Sequence, residues 1–561
     1  MQYSSSTWPT NFPTDRTTSA KFYDLAIIGA GISSAYTLLH YLERLDRQFV
    51  SGRTQPIKIV VTEKSGEFWT GIPYGNRSGR TALLISPLKE FIPQQPERTD
   101  FINWLNEHRD WLFDRQVYAA QGQLASQWLD DNAADIDRGD WDDLFIPRHT
   151  FGLYLQSRLS TALTTATAKG LIECDLITAD VWDIQRDGEL FLVDLTTDAG
   201  GNRFTAKQLV LAIGSPPNLG FEQSAEAVKS GLCYIDDMYE PSLDFNLDRL
   251  CRSLTEIADP AARQVMIIGS NASTLDTIYS INNSPAVTNS IEKFIILSPS
   301  ATFPHRINRE VPAIDYTPHA LVALVQTESF TAKQILAAVE QDVAGAIDQN
   351  INISDIYGDI TKVVMQGLNL LNIEEQQQFV FRYAVEIGKF QRRAGGEYLD
   401  VVNDLVERRK LEFVKGRFVK QLPLPMGGAG CEYLDSEHRQ PHVFDRPIGA
   451  IINCAGFQDV TQSSSPLIQN LLQREICQPN QSNRGFAIDQ NFKASPNCYV
   501  MGPLVAGNID GTFRVWHAES CQRILGLSKH LAKVLLSEST AVAPEIAMSE
   551  PATSATLIPA V

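Results

Sequence analysis

Gly29-Ala30-Gly31 stands between an apolar run at residues 23–28 and a stripe at Ala35, Leu38, Leu39, Leu42 and Leu45. The run fits a buried strand and the stripe one face of a helix, so strand, glycine turn and helix follow without a gap. Such a turn grips an anion. Gly29 allows the tight bend, Gly31 lets backbone N–H groups approach a pyrophosphate, and the helix N-terminus beyond offers unpaired donors and a partial positive charge. Ser34 takes the place of a third glycine, where a small side chain still permits close helix–strand packing. A second apolar run, residues 57–62, ends in Glu63 with Lys64 beside it, as the next strand of a nucleotide unit does. Glu63 is placed to accept hydrogen bonds from a ribose. Its separation from the glycines exceeds the usual interval of about 20 residues, and the polar segment 46–55 reads as an inserted loop.

A weaker copy of the pattern follows at residues 264–268 and Gly269-Ser270-Asn271, with Ser273 in the helix start. Asn271 replaces the second glycine; it tolerates left-handed backbone but projects a side chain toward the phosphates. Gly269, Asn271 and Ser273 therefore form either a nicotinamide-nucleotide site or a Rossmann unit kept for structure.

Two more apolar strands end in glycine, at Ala212-Ile213-Gly214 and Cys454-Ala455-Gly456, and a third reaches Met501-Gly502-Pro503. Cys454 lies inside an apolar strand with no nearby base in sequence, so it reads as a core thiol and not a nucleophile. Arg148 starts a helical stretch and could meet an anion or simply face solvent.

These segments need large scaffolds, and 561 residues supply two or three cores. The formal charge of −18 disfavours a nucleic-acid or anionic-membrane surface. Eight cysteines are spread singly, without CxxC or clustered Cys/His spacing, which argues against a metal site and against a flavin disulfide reductase. That usage suits a reduced cytoplasm, and with no signal peptide or long apolar span a soluble, cytoplasmic protein is expected. Nothing in the pattern indicates an oligomeric state.

Taken together, the motifs resemble the FAD/NAD(P)-binding family that includes bacterial FAD-dependent urate hydroxylases and aspartate N-monooxygenases. The resemblance rests on Gly29-Ala30-Gly31, Glu63, Gly71-Ile72-Pro73-Tyr74-Gly75, Leu83-Leu84 with Pro87, Pro96 before the helix start at Phe101, and Pro147-Arg148 followed by Gly152 and Tyr154-Leu155. It implies an α/β fold of two Rossmann-like dinucleotide-binding domains, one for FAD and one for NAD(P), with a helical insertion. The expected division is a flexible leader at 1–20, an FAD domain at 21–218 and 446–536, an NAD(P) domain at 219–316 and 410–445, a helical insertion at 317–409 and a loose tail at 537–561. Tyr74 and Gly75 would wall the flavin, Val181 would bring backbone to the adenine, Gly214 and Gly456 would mark the two crossovers, and Gly502 would approach the flavin chain. One departure stands out: Ile85 occupies a place where the family favours asparagine.

The activity implied is a monooxygenase in which NADPH or NADH reduces FAD, molecular oxygen is captured as a flavin C4a-hydroperoxide, and a small polar substrate is hydroxylated. NADP-preferring relatives tend to carry arginines where this chain has Pro299-Ser300; His305, Arg306 and Arg309 follow closely, so the choice of nucleotide stays open. The catalytic candidates are Arg392, which either lines a pocket for an acidic substrate or ends a solvated helix, and His517, where the resemblance brings the chain close to the flavin. Two other readings remain: an NAD(P)H oxidase or reductase without oxygen insertion, which Ile85 favours, and a non-catalytic FAD-binding redox sensor, which Asn271 and Pro299 favour.

Overall fold

The computed structural model describes residues 19–48, 55–221, 232–309, 314–424, 428–510, 513–516 and 520–540. Its first sheet is built on β1 (Ser19–Ile28), whose unbroken apolar segment is buried because helices cover both faces of a parallel sheet. Beside it lie β2 (Ile57–Glu63) and β3 (Ile172–Thr178) on one flank, and β6 (Gly200–Leu211) on the other. A hairpin of β4 (Asp180–Asp187) and β5 (Leu190–Thr197) pairs with β6. The sheet closes with β16 (Lys493–Ser495) and β17 (Cys498–Val500), the latter parallel to β6. Register aligns Ile28 with Thr62 and with Leu211, and Leu211 with Val500. The turns after four strands thus open on one edge.

The second sheet runs β14 (Pro441–Ile448), β13 (Ala429–Asp435), β12 (Leu411–Pro423), β9 (Lys293–Ser298), β8 (Gln264–Ile268), β15 (Ala450–Asn453) and β7 (Cys233–Ile235). Its β8 pairs in parallel with β9 and β15, so the turns after Ile268, Ser298 and Asn453 again share an edge. Two Rossmann-like units are therefore present. Because β14 and β15 belong to this sheet, the chain leaves the second unit only after Asn453, and the boundary expected at 446 falls within β14.

The insertion is helical, with its own core of Leu321, Ile335, Val339, Ile356, Ile360 and Phe379. A short ladder of β10 (His305–Ile307) and β11 (Arg393–Gly395) ties it to the second unit. Its last helix, Gly396–Glu407, packs instead on the helix Ala272–Asn283 and joins the main core through Tyr398, Val402 and Leu405. The closing helix spans Cys521–Thr540; Phe513–Val515 (β19) pairs as a hairpin with Asn508–Asp510 (β18). Among the described residues no helix is long and apolar enough to cross a membrane.

Candidate functional site

The first glycine turn is held by its neighbours on the sheet. Gly29 has φ +91° and donates its N–H to the Thr62 carbonyl at 2.9 Å. A Cβ there would stand 2.5 Å from the Ala212 carbonyl oxygen, so the position needs glycine on both counts. Ala30 N–H donates to Glu63 Oε2 at 2.9 Å, while Oε1 accepts from the Ser65 N–H and hydroxyl. Glu63 is thereby fixed against the turn with its carboxylate at the strand end. Ser34 is fully buried and its hydroxyl donates to the Gly29 carbonyl, which agrees with a packing role at the third-glycine position. Helix α1 (Ile32–Gln48) begins beyond Gly31, and Gly502 presses onto its first turn, where a Cβ would meet Ser33 Oγ at 2.8 Å.

Around this turn the other expected contacts divide into framework and surface. Tyr74 is buried, edge-on to Phe151 at 5.3 Å, and its carbonyl lies where any side chain at Gly152 would stand. It fastens the Gly75 loop to the helix Arg148–Ala168. Val181 is buried in β4, and the Ala179 N–H donates to the Glu63 carbonyl at 3.0 Å, which brings the hairpin beside Glu63. Lys64 is exposed and pairs with Asp180 at 3.2 Å. Ile72 and Ile85 are exposed apolar side chains on this loop and the next. The tight glycine cradle, the helix N-terminus behind it and an acid at the neighbouring strand end fit the pyrophosphate and ribose of FAD.

The second turn repeats the first. Gly269 has φ +116°, donates to the Leu297 carbonyl at 2.9 Å, and lies so close to the Cys454 carbonyl that no Cβ fits between them. Cys454 therefore stands to Gly269 as Ala212 stands to Gly29. Asn271 caps the helix Ala272–Asn283 at φ −108°, ψ −164°, without a side-chain cap bond. Left-handed backbone is not required there; extended backbone is open to any residue, so asparagine leaves the turn's shape intact. Ser273 is exposed in the first helical turn, and Ser270 Oγ lies 3.3 Å from Ser300 Oγ. Arg306 and Arg309, considered in the sequence for a 2′-phosphate, are engaged with Asp400 and with Glu397 and Asn132 respectively. Burial pushes the Cys454 thiol up to about 11, which keeps it protonated and unreactive.

The two crossovers run side by side. Leu219 N–H donates to the Gly456 carbonyl at 2.8 Å and Gln458 N–H to the Pro217 carbonyl at 2.9 Å. Asn453 completes the lacing, donating to the Leu219 carbonyl and to Asp236 Oδ1, each at 2.8 Å. Gly456 thus sits against Leu219, with Gly214 five residues upstream on the same connection.

Arg148 is not a surface residue. Its guanidinium meets Asp276 at 2.8 Å, with side chains 15% and 7% exposed, and donates to the Tyr239 hydroxyl at 3.3 Å. Burial works against the charge, but Asp276, Tyr239 and Tyr398 outweigh it and raise the arginine's pKa. The anion expected for Arg148 is supplied by the protein itself. Asp276, Tyr239 and Tyr398 were not visible as site residues; the one signal the sequence offered is an acid, the only charged residue among residues 275–281. Arg392 is exposed, with its carbonyl accepting from His305 N–H, whereas Arg393 turns inward to Glu90 at 2.8 Å and over the Tyr357 ring. His517 lies outside the described residues.

Residues 26–216 match a family model described as FAD-NAD(P)-binding. The uncharacterized protein Rv3403c of Mycobacterium tuberculosis is 30% identical over 524 residues, covering 93% of this chain and 96% of that one. The uncharacterized protein Mb3437c of Mycobacterium bovis matches at 30% over the same 524 residues, with the same 93% and 96% coverage. Among solved structures, the reduced form of ornithine hydroxylase (PvdA) from Pseudomonas aeruginosa has a TM-score of 0.51 at 13% identity, covering 92% of this chain and 99% of that chain. An ornithine N-hydroxylase (KtzI) from Kutzneria sp. 744 has a TM-score of 0.50 at 15% identity, with coverages of 92% and 99%. At such identities the two structures speak to fold. The chain, whose residues 26–216 carry the FAD-NAD(P)-binding match, belongs to one family with these mycobacterial proteins.

Proposed function

We propose that the protein is an FAD-dependent oxidoreductase that consumes NADPH or NADH and inserts one atom of molecular oxygen into a small polar substrate. The observation that carries this reading is the duplication of one geometry: Gly29 against Ala212 at the end of the first sheet, Gly269 against Cys454 at the end of the second. Two nucleotides held on laced crossovers suit a hydride transfer between them. FAD, when bound, supplies a hydride acceptor and a ring that activates oxygen. This chain's residues would do the holding. The turn Gly29-Ala30-Gly31 and the start of α1 would face the pyrophosphate, Glu63 the ribose, the backbone at Val181 the adenine, and Gly502 the flavin chain. Gly269, Asn271 and Ser273 would receive the nicotinamide nucleotide.

The ornithine hydroxylases that share this fold support the oxygen-inserting form, and so do the motifs resembling urate hydroxylases and aspartate N-monooxygenases. A second reading, NAD(P)H oxidation without insertion, is favoured by Ile85, which is 37% exposed and offers no polar group beside the flavin loop. One experiment separates them. The purified yellow protein is mixed anaerobically with NADPH or NADH, then with oxygen and a panel of amines, amino acids and purines. Bleaching followed by a product carrying one oxygen from O2 supports insertion. Bleaching with stoichiometric hydrogen peroxide and no oxygenated product across the panel gives the second reading, and no bleaching with either nucleotide removes both.

A further inference from the structure

Asp276 lies in the second turn of the helix Ala272–Asn283, and its carboxylate has three side-chain partners, two of them from outside its own unit. Its Oδ2 takes the Arg148 guanidinium at 2.8 Å and the Tyr239 hydroxyl, and its Oδ1 lies 3.3 Å from the Tyr398 hydroxyl. Arg148 belongs to the first unit, Tyr239 to the second, and Tyr398 to the last helix of the insertion. Tyr398 in turn grips the backbone of Leu83: its hydroxyl accepts the Leu83 N–H at 2.8 Å and lies 2.8 Å from the Leu83 carbonyl. A phenol has one proton, so that proton goes either to Leu83 or to Asp276. The Tyr398 ring also packs on Tyr279, one helical turn beyond Asp276, at 4.9 Å. Arg148 anchors the same loop from the other side through its main chain, since its backbone N–H donates to the Ala82 carbonyl at 2.8 Å.

We infer that Asp276 is a positioning residue that couples occupation of the second glycine turn to the loop carrying Leu83, Leu84 and Ile85. The inference rests on the nucleotide reading given above for the second turn. A short, rigid helix carries the turn at one end and Asp276 on its flank, so a nucleotide that draws on the helix N-terminus shifts or stiffens Asp276. Because the carboxylate and Tyr398 are buried and the Arg148 side chain is only 15% exposed, the shift reaches Leu83 through two paths, Arg148 to Ala82 and Tyr398 to Leu83. Asp276 itself touches neither nucleotide in this account; it sets how the flavin-side loop stands when the second nucleotide arrives.

Amide hydrogen exchange on the FAD-loaded full chain, with and without NADP+ or NAD+, tests this directly. In the parent protein the nucleotide slows exchange both in residues 269–283 and in residues 82–86. Asp276→Asn keeps the first protection and loses the second by about fivefold or more, the lower range of ordinary coupling between sites. Tyr398→Phe preserves the ion pair and the ring packing, so it tests the same link with less disturbance of the fold than Asp276→Asn, and it loses at least part of the protection at 82–86. Protection confined to 269–283 in the parent, or full protection of both segments in both variants, overturns the coupling. If neither nucleotide slows exchange at 269–283, the nucleotide reading of the second turn fails and the coupling falls with it, a result distinct from the first because it shows in a different segment.

Discussion

The Gly29 Cα faces the Ala212 backbone so closely that a Cβ would sit 2.5 Å from the carbonyl oxygen, and Gly29 holds φ +91° besides. Gly29→Ala therefore forces the β1 turn away from β6. Left-handed strain alone costs about 1–2 kcal/mol, and a backbone clash adds to it. The expected outcome is a chain purified without yellow colour, read as bound flavin per chain, with a lowered melting temperature. Gly201→Ala, at a position with nothing within 4 Å, serves as the control that stays yellow.

Glu63 contributes its charge as well as its geometry. In Glu63→Gln the amide oxygen can keep the bond from the Ala30 N–H, but the ribose hydroxyls and the Ser65 donors lose a charged acceptor. Charge-assisted hydrogen bonds are roughly twice as strong as neutral ones, so FAD affinity falls by about tenfold for a loss near 1.4 kcal/mol. Titrating the apoprotein with FAD measures it; unchanged affinity would place the ribose elsewhere.

Both glycine turns were legible because each combines a buried apolar strand, a turn residue of special backbone and a helical stripe, all within one local window. The helical insertion was legible for the same reason. What stayed hidden depends on partners distant in sequence. An apolar strand such as β15 looks the same whichever sheet it joins, so the return to the first unit was placed at 446, inside β14. Arg148 shows a helix start in sequence, yet nothing local reveals Asp276 as its counter-ion. Asn271 is of a type that tolerates left-handed backbone, but only the folded turn shows that its backbone is extended.

Arg148 and Asp276 should show the asymmetry of a buried ion pair. Removing one partner by Asp276→Asn leaves the guanidinium without its counter-charge, and such single breaks cost about 3–5 kcal/mol. Arg148→Met strands Asp276 in the same way. The double variant Arg148→Met/Asp276→Asn removes both charges and is expected to be more stable than the sum of the singles predicts, by roughly 1–3 kcal/mol of coupling. Denaturant unfolding of the four proteins in a cycle reads this number. Additive losses would mean that the two side chains, though 2.8 Å apart, do not sustain each other.

His149 gives the loop at Tyr74 a dependence on acid. Burial first, and then the positive charge of Arg80, push its pKa down to about 4, against a backbone hydrogen bond to Tyr74 that works the other way. In the unfolded chain the imidazole titrates near the ordinary value of about 6.5. Between these values the unfolded state binds more protons than the folded one, so stability rises with pH and falls on acidification. The full contribution of neutral His149 is present above about pH 6.5 and is lost progressively down to about pH 4, a loss of about 3 kcal/mol at about 1.4 kcal/mol per pKa unit. His149→Phe abolishes that part of the slope, since phenylalanine takes no proton and suits the apolar surroundings between Tyr74 and the helix Arg148–Ala168. Unfolding free energies measured from neutral pH to pH 4 in both proteins decide the matter: parallel curves would show that His149 does not carry the acid sensitivity.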